Sequence, residues 1–314
     1  MPRTSRPARA SQHAARPSRR GEPRSIDVAA AAGRLVLGVD FTSAPRPRKP
    51  ITAAVGRLVG DRSRAVYRLE QVLTLDSFPA FEAFLQTPGP WLGGFDLPFG
   101  QPRALVEHEG WPTAWPALVR SYCGRSRADL RDAFRAWCDA RPAGDKFAWR
   151  RADKPAGSSP AMRWAHPPVA WMMHAGIGRM LDAGLVFPAH AHPRGGRSPR
   201  AARVALEAYP GFTVRHVCRR PYKSDEPAAR TPDRTRRRRE IVRALAAGTA
   251  GLDVALALDD RWARRLVADH AGDLLDAVIC ALQAAHASLR PRYGLPRDLD
   301  PLEGWIASVP PRSA

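Results

Sequence analysis

The chain has 314 residues, 44% of them hydrophobic, enough to bury a sizeable core and to exclude a wholly disordered protein. No apolar run approaches the roughly eighteen residues of a membrane span, and the basic N-terminus lacks the apolar core of a secretory signal. Cys123, Cys138, Cys218 and Cys280 lie far apart without a CxxC pair, which argues against a disulfide framework or zinc ribbon and points to a reducing, cytoplasmic setting.

The formal net charge of +20 suits a partner that is a polyanion, nucleic acid above all. Only four of the fifty basic residues are lysine (Lys49, Lys146, Lys154 and Lys223), so a GC-rich coding bias explains the arginine excess equally well. Charge permits nucleic-acid binding without establishing it.

Residues 1–25 carry seven arginines and almost no large apolar side chain, the composition of a disordered basic arm. From Arg34 the run RLVLGVDF predicts a buried strand ending near Asp40. The segments 53–59 and 65–73, separated by the turn signal Gly60–Ser63, predict a hairpin. Ser77 is placed to cap a short helix reaching Leu85, with Phe78, Phe81, Phe84 and Leu85 on one face. That helix is the crossover to a further buried strand, Trp91 to Asp96. Over 101–203 the pattern loosens into prolines, tryptophans and short amphipathic pieces, read as a largely helical insertion. Within it Val169–Leu185 is the most helical part and Ala189–Arg200 is loop-like. A strand from Arg203 stops at Pro210-Gly211, and helices are expected over 231–247, 259–268 and 273–289, followed by a C-terminal extension over 290–314. The fold class is α/β, a mixed sheet flanked by helices, in one domain over 34–289.

Three acids sit in or at the end of otherwise apolar strands: Asp40, Asp96 and Glu207. A buried carboxylate requires a partner, a proton or a cation. Asp273 and Asp276 lie three residues apart and share a face at the start of a helix that is apolar nearly all round. Each also has a plainer reading, as a turn former or as a capping-box-like helix start favoured by the helix dipole.

The stretches Leu37-Gly-Val-Asp40, Gly94-Phe-Asp96-Leu-Pro-Phe-Gly100, Leu206-Glu207-Ala-Tyr-Pro210 and Asp273-Leu-Leu-Asp276-Ala277, in this order, resemble the motifs of the DUF429 family. Members of that family are regarded as predicted nucleases with a ribonuclease H-like fold. The resemblance covers about 34–100 and 203–289. It implies metal-dependent hydrolysis of phosphodiester bonds by a pair of Mg²⁺ or Mn²⁺ ions. Asp40 would bridge the ions, and Asp96, Glu207 and one of Asp273 and Asp276 would complete the ligand set. Asp276 is preferred because it lies deeper in the helix.

Lys223 follows the Glu207 strand closely enough to reach the same rim and to meet a phosphate, although a solvated surface lysine has the same sequence appearance. Arg150 and Arg151, in FAWRR with Trp149, mix aromatic and basic residues as single-strand stacking platforms do; a packed insertion helix reads the same way. The run Arg236–Arg239 is either a phosphate contact or a solvated face. His190-Ala-His192 has a metal-compatible spacing with no third ligand evident, and Ser158-Ser159 lacks a nucleophile elbow. Two other functions fit parts of the chain. Gly38-Val-Asp40-Phe-Thr42-Ser43 resembles the first phosphate loop of actin-like phosphotransferases and ATPases, but no second copy of that core and no glycine-rich nucleotide loop is evident. A non-catalytic nucleic-acid-binding protein accounts for the charge but not for buried acids.

Overall fold

The structure, a computed structural model, describes residues 33–190 and 202–311. The arm expected over 1–25 and nearly all of the loop over 189–200, His192 included, lie outside the described residues. β1 (Arg34–Asp40), β2 (Ile51–Val59) and β3 (Val66–Leu75) form an antiparallel meander. α1 (Phe78–Leu85), capped by Ser77, leads to β4 (Trp91–Asp96), which lies parallel to β1. β5 (Arg203–Glu207) extends the sheet beyond β4, and β6 (Ala255–Ala257) extends it beyond β3, giving the order β5-β4-β1-β2-β3-β6. With only three residues, β6 is too short to display a period in the sequence.

The two sheet faces bury separate cores. Leu35, Leu37 and Val39 point into a cluster built with the segment between β4 and β5, through α2 (Arg103–His108), α3 (Trp115–Gly124), α4 (Arg127–Asp139) and α6 (Val169–Asp182); the short α5 (Asp153–Ala156) of the same segment lies outside it. Val36 points the other way, toward α7 (Pro210–Val217), α8 (Pro232–Ala246), α9 (Asp260–Ala268) and α10 (Asp273–Ser288). Pro210-Gly211, expected only to stop a strand, also starts α7, because proline suits the first helical turn. Among the described residues, no helix is long and apolar enough to cross a membrane.

Two glycines set the height of α10 above the sheet. A Cβ at Gly38 would lie 2.1 Å from the Ala277 carbonyl oxygen, and one at Gly94 would lie 2.2 Å from that of Cys280. Neither contact is with a side chain that could swing aside. Because strand residues alternate faces, Asp40 and Asp96, two residues beyond these glycines, point to the same side as α10. The spacing Gly-x-Asp in both strands therefore brings the first turn of α10 down beside the two acids.

The segment 290–311 is stitched back into the fold. Ile306 bridges to Glu207, and the Ala307 amide donates to the Glu207 carbonyl at 2.7 Å. Trp305, Ile306 and Val309 pack with Ala152 and Ala156 of the insertion.

Candidate active site

Asp40 and Asp96 are register partners at the carboxyl ends of adjacent parallel strands. Crevices outside such strand ends are where open α/β sheets commonly take ligands. Here the crevice is a cavity of about 480 Å³ lined by Asp40, Asp96, Glu207, Asp273, Lys49 and Lys223 among others. The strand-end acids and the helix-start pair thus meet at one end of the sheet, but their side chains are not equivalent.

Asp40 and Asp96 make no hydrogen bond or ion pair among the described residues. Burial pushes the Asp40 carboxyl well above the usual carboxylate range; Lys223 opposes this, while Asp276, Asp273 and Asp96 add to it. Asp96 is raised to about 7, again by burial first; Lys223 opposes this, while Asp276 and Glu207 add to it. Negative charge is in excess here.

Glu207 has both oxygens occupied. Arg150 grips it with two hydrogen bonds of 2.6 and 2.8 Å, and the Phe99 amide donates to Oε2 at 2.9 Å. The Phe99 bond ties down the loop that follows Asp96. Arg150 is only 2% exposed and also donates to Asp153 Oδ1 at 2.8 and 3.1 Å. Its guanidinium is consumed inside the protein, between two buried carboxylates. Arg151 turns away to pair with Asp298 at 2.6 Å.

Asp276, 1% exposed, accepts from the Tyr222 hydroxyl on one oxygen and from the Lys223 ammonium on the other. Burial works against the Lys223 charge, but Asp276, Tyr222 and Asp40 overcome it and hold the ammonium protonated. Asp273 receives Lys49, whose Nζ lies 2.9 Å from each carboxylate oxygen and 3.0 Å from Asp225. Neither Asp276 nor Asp273 caps α10. The N-cap is Gly272, and the Leu274 amide is satisfied by Asp269 Oδ2 at 2.9 Å.

Lys223 is held from two sides. Gly272, at φ +78°, lets α10 approach so closely that a Cβ there would lie 2.8 Å from the Lys223 Cβ. On the other side α8 supplies three arginines to three successive carbonyls: Arg237 to Pro221 at 2.8 Å, Arg238 to Tyr222 at 2.7 Å and Arg234 to Lys223 at 2.9 Å. The basic run of α8 thus acts largely as a backbone clamp.

No protein-family model, curated protein or solved structure matches the chain.

A divalent-ion site can be tested against the donors present. Among the described residues, no three His, Cys, Asp or Glu side chains form a ready-made metal cage. Mg²⁺, however, is usually held by one or two carboxylates together with water and substrate phosphate. Asp40 and Asp96, half-buried, adjacent and with unpaired side chains, fit that requirement. His190 does not join them; its Nδ1 lies 2.7 Å from the Pro301 carbonyl oxygen and its ring stacks on Trp115.

Lys49, Tyr222, Asp153 and the α8 clamp escaped the reading of the sequence. Lys49 stands in an aperiodic proline-arginine loop, and its one signal was the rarity of lysine. The tyrosine before Lys223 and the acid three residues after Arg150 carry no pattern that distinguishes them from surface residues.

Proposed function

We propose that the protein is a metal-dependent nuclease, hydrolysing phosphodiester bonds of nucleic acid on a ribonuclease H-like core of the DUF429 kind. The carrying observation is the side-by-side pairing of Asp40 and Asp96, unpartnered at the mouth of the 480 Å³ cavity with two lysines beside them. The meander β1–β3 followed by two strands parallel to β1 supports the core assignment.

A divalent ion held by Asp40 and Asp96, or a pair that also recruits Asp276, would activate the attacking water and neutralise the leaving oxygen. The chain's own residues supply the rest. Lys223, fixed by α8 and α10 and kept charged by Asp276, presents an ammonium to a non-bridging phosphate oxygen. Lys49 balances Asp273 and offers a second cation at the rim. Arg150 neutralises Glu207, which in turn holds the loop beyond Asp96 through the Phe99 amide. The raised proton affinity of Asp40 and Asp96 gives a metal something to displace, because a cation replaces the proton that burial otherwise favours.

The test is cleavage of labelled single-stranded, duplex and branched DNA and RNA with Mg²⁺, with Mn²⁺ and with EDTA, by the wild type and by Asp40→Asn and Asp96→Asn. Metal-dependent cleavage by the wild type alone is expected. Undiminished cleavage by either variant removes that acid from the site, and no wild-type cleavage of any substrate overturns the nuclease reading.

A further inference from the structure

A second cavity of about 330 Å³, which shares Arg150 with the first, is lined by Trp149, Arg151, Lys154, Pro296, Asp298 and Trp305 among others. Trp149, 37% exposed, is the single large hydrophobic side chain left exposed among the described residues. Its neighbour Arg150 is buried, so the alternation Trp149-Arg150 turns one side chain outward while the next anchors the backbone on Glu207 and Asp153. The indole therefore projects from a rigid base. The Lys154 ammonium lies over one side of the Trp149 ring, 5.7 Å from its centroid, and makes no ion pair among the described residues. The Arg151 side chain bonds only to Asp298 among the described residues, and both side chains are more than half exposed, a pairing that water and salt weaken.

An exposed aromatic face on a rigid support, with a free ammonium beside it, is a stacking platform for an unpaired base whose phosphate meets the cation. Prolines and Trp305 form the apolar walls. A duplex keeps its bases stacked inside and has no free face to offer. We propose that Trp149 and Lys154 form a subsite for single-stranded nucleic acid, holding a base and phosphate away from the bond at Asp40 and Asp96. The assignment takes the identity of the neighbouring cavity from the nuclease reading. Its own evidence is the Trp149 pocket.

Binding is measured on the full chain in EDTA, where no cleavage intervenes, by fluorescence anisotropy of labelled oligothymidylate, oligouridylate, an abasic phosphodiester strand and a duplex. Trp149→Ala is expected to weaken both single strands by about 5- to 160-fold, the range of one lost stacking contact. Trp149→Phe should retain most of the affinity, and Lys154→Ala should lower it with a smaller salt dependence. The abasic strand and the duplex should not respond to Trp149→Ala. Equal affinity of wild type and Trp149→Ala for both single strands overturns the proposal. So does an equal loss for the duplex or the abasic strand, which would reduce the site to charge alone. So does displacement of the strands by a proline-rich acidic peptide that itself needs Trp149, which would make the pocket a peptide site. A Trp149-dependent single-strand affinity without metal-dependent cleavage would leave the subsite standing and sink the nuclease reading; cleavage that ignores Trp149 would do the reverse.

Discussion

Arg238, 1% exposed, donates a 2.7 Å hydrogen bond to the carbonyl oxygen of Tyr222, the residue before the lysine that reaches into the acid cluster. The same guanidinium donates to the Val267 carbonyl at 2.8 Å, so it joins α9 to the Lys223 segment. Arg238→Met keeps the stem but leaves two carbonyls without their donor. A loss of about 2–4 kcal/mol in urea-unfolding stability is expected. Arg234→Ala, which removes a solvent-exposed bond from a half-buried residue, should cost below about 1 kcal/mol and lower phosphate affinity by loosening Lys223. Equal stability losses for the two variants would contradict the clamp.

Asp40→Asn should stabilise the metal-free protein while abolishing metal-dependent cleavage. Burial and the nearby acids raise the Asp40 carboxyl above its unfolded value, so its ionisation costs stability as pH rises above that value. The amide does not ionise. Thermal melts in EDTA should therefore show a gain in Tm over wild type that is larger near pH 8 than near pH 4. A lower Tm across that range would place Asp40 in a structural role.

Gly38→Ala and Gly94→Ala should each cost about 3 kcal/mol or more, since the new Cβ meets backbone that cannot rotate away. The helix must rise, carrying Asp276 from the acids. Gly110→Ala is the control for a glycine with nothing within 4 Å, where only the positive φ of 63° opposes the change. A similar cost at all three would assign the effect to conformational preference alone.

Arg150→Met leaves Glu207 and Asp153 buried beside each other with no cation. Breaking a buried pair in this way costs about 3–5 kcal/mol, and the loss should shrink as pH falls and Glu207, already raised by burial, takes up a proton. Chemical denaturation near pH 7 and pH 4.5 measures it; a pH-independent loss would contradict the electrostatic origin.

His286 gives the protein an acid limit. Burial first, and then the neighbouring Arg290 charge, lower its pKa from 6.5 to about 4, against the opposing pull of Asp253. The unfolded chain takes the proton at a higher pH than the folded one. The stabilisation is thus complete above pH 6.5 and is lost as pH falls toward 4, about 3 kcal/mol in all. His286→Gln, whose side-chain carbonyl can still accept from the Asp253 amide that now donates at 2.8 Å, should flatten this part of the stability profile. An unchanged profile would assign the acid limit to other groups.

β1, β4 and α10 were legible because each is an almost unbroken apolar run, and α1 because Phe78, Phe81, Phe84 and Leu85 mark one face; the acids stood out against that background. The partners of the acids were not legible. Arg150 reaches Glu207 across 57 positions, and Lys49 reaches Asp273 across 224. Such pairs depend on where loops of irregular sequence are led by the core. Gly38 and Gly94 lie in the middle, visible as residues but silent about the helix they admit.

The bridge between Glu207 and Ile306 makes the setting of a buried strand acid depend on a segment far away in the chain. Arg150 spends one hydrogen on the Glu303 carbonyl, and the Arg151 amide donates to the Glu303 carboxylate at 2.8 Å, so the support of Glu207 draws on the segment 290–311. β1 to β4 can pair without that segment, yet Arg150 lacks part of its setting until 290–311 has docked.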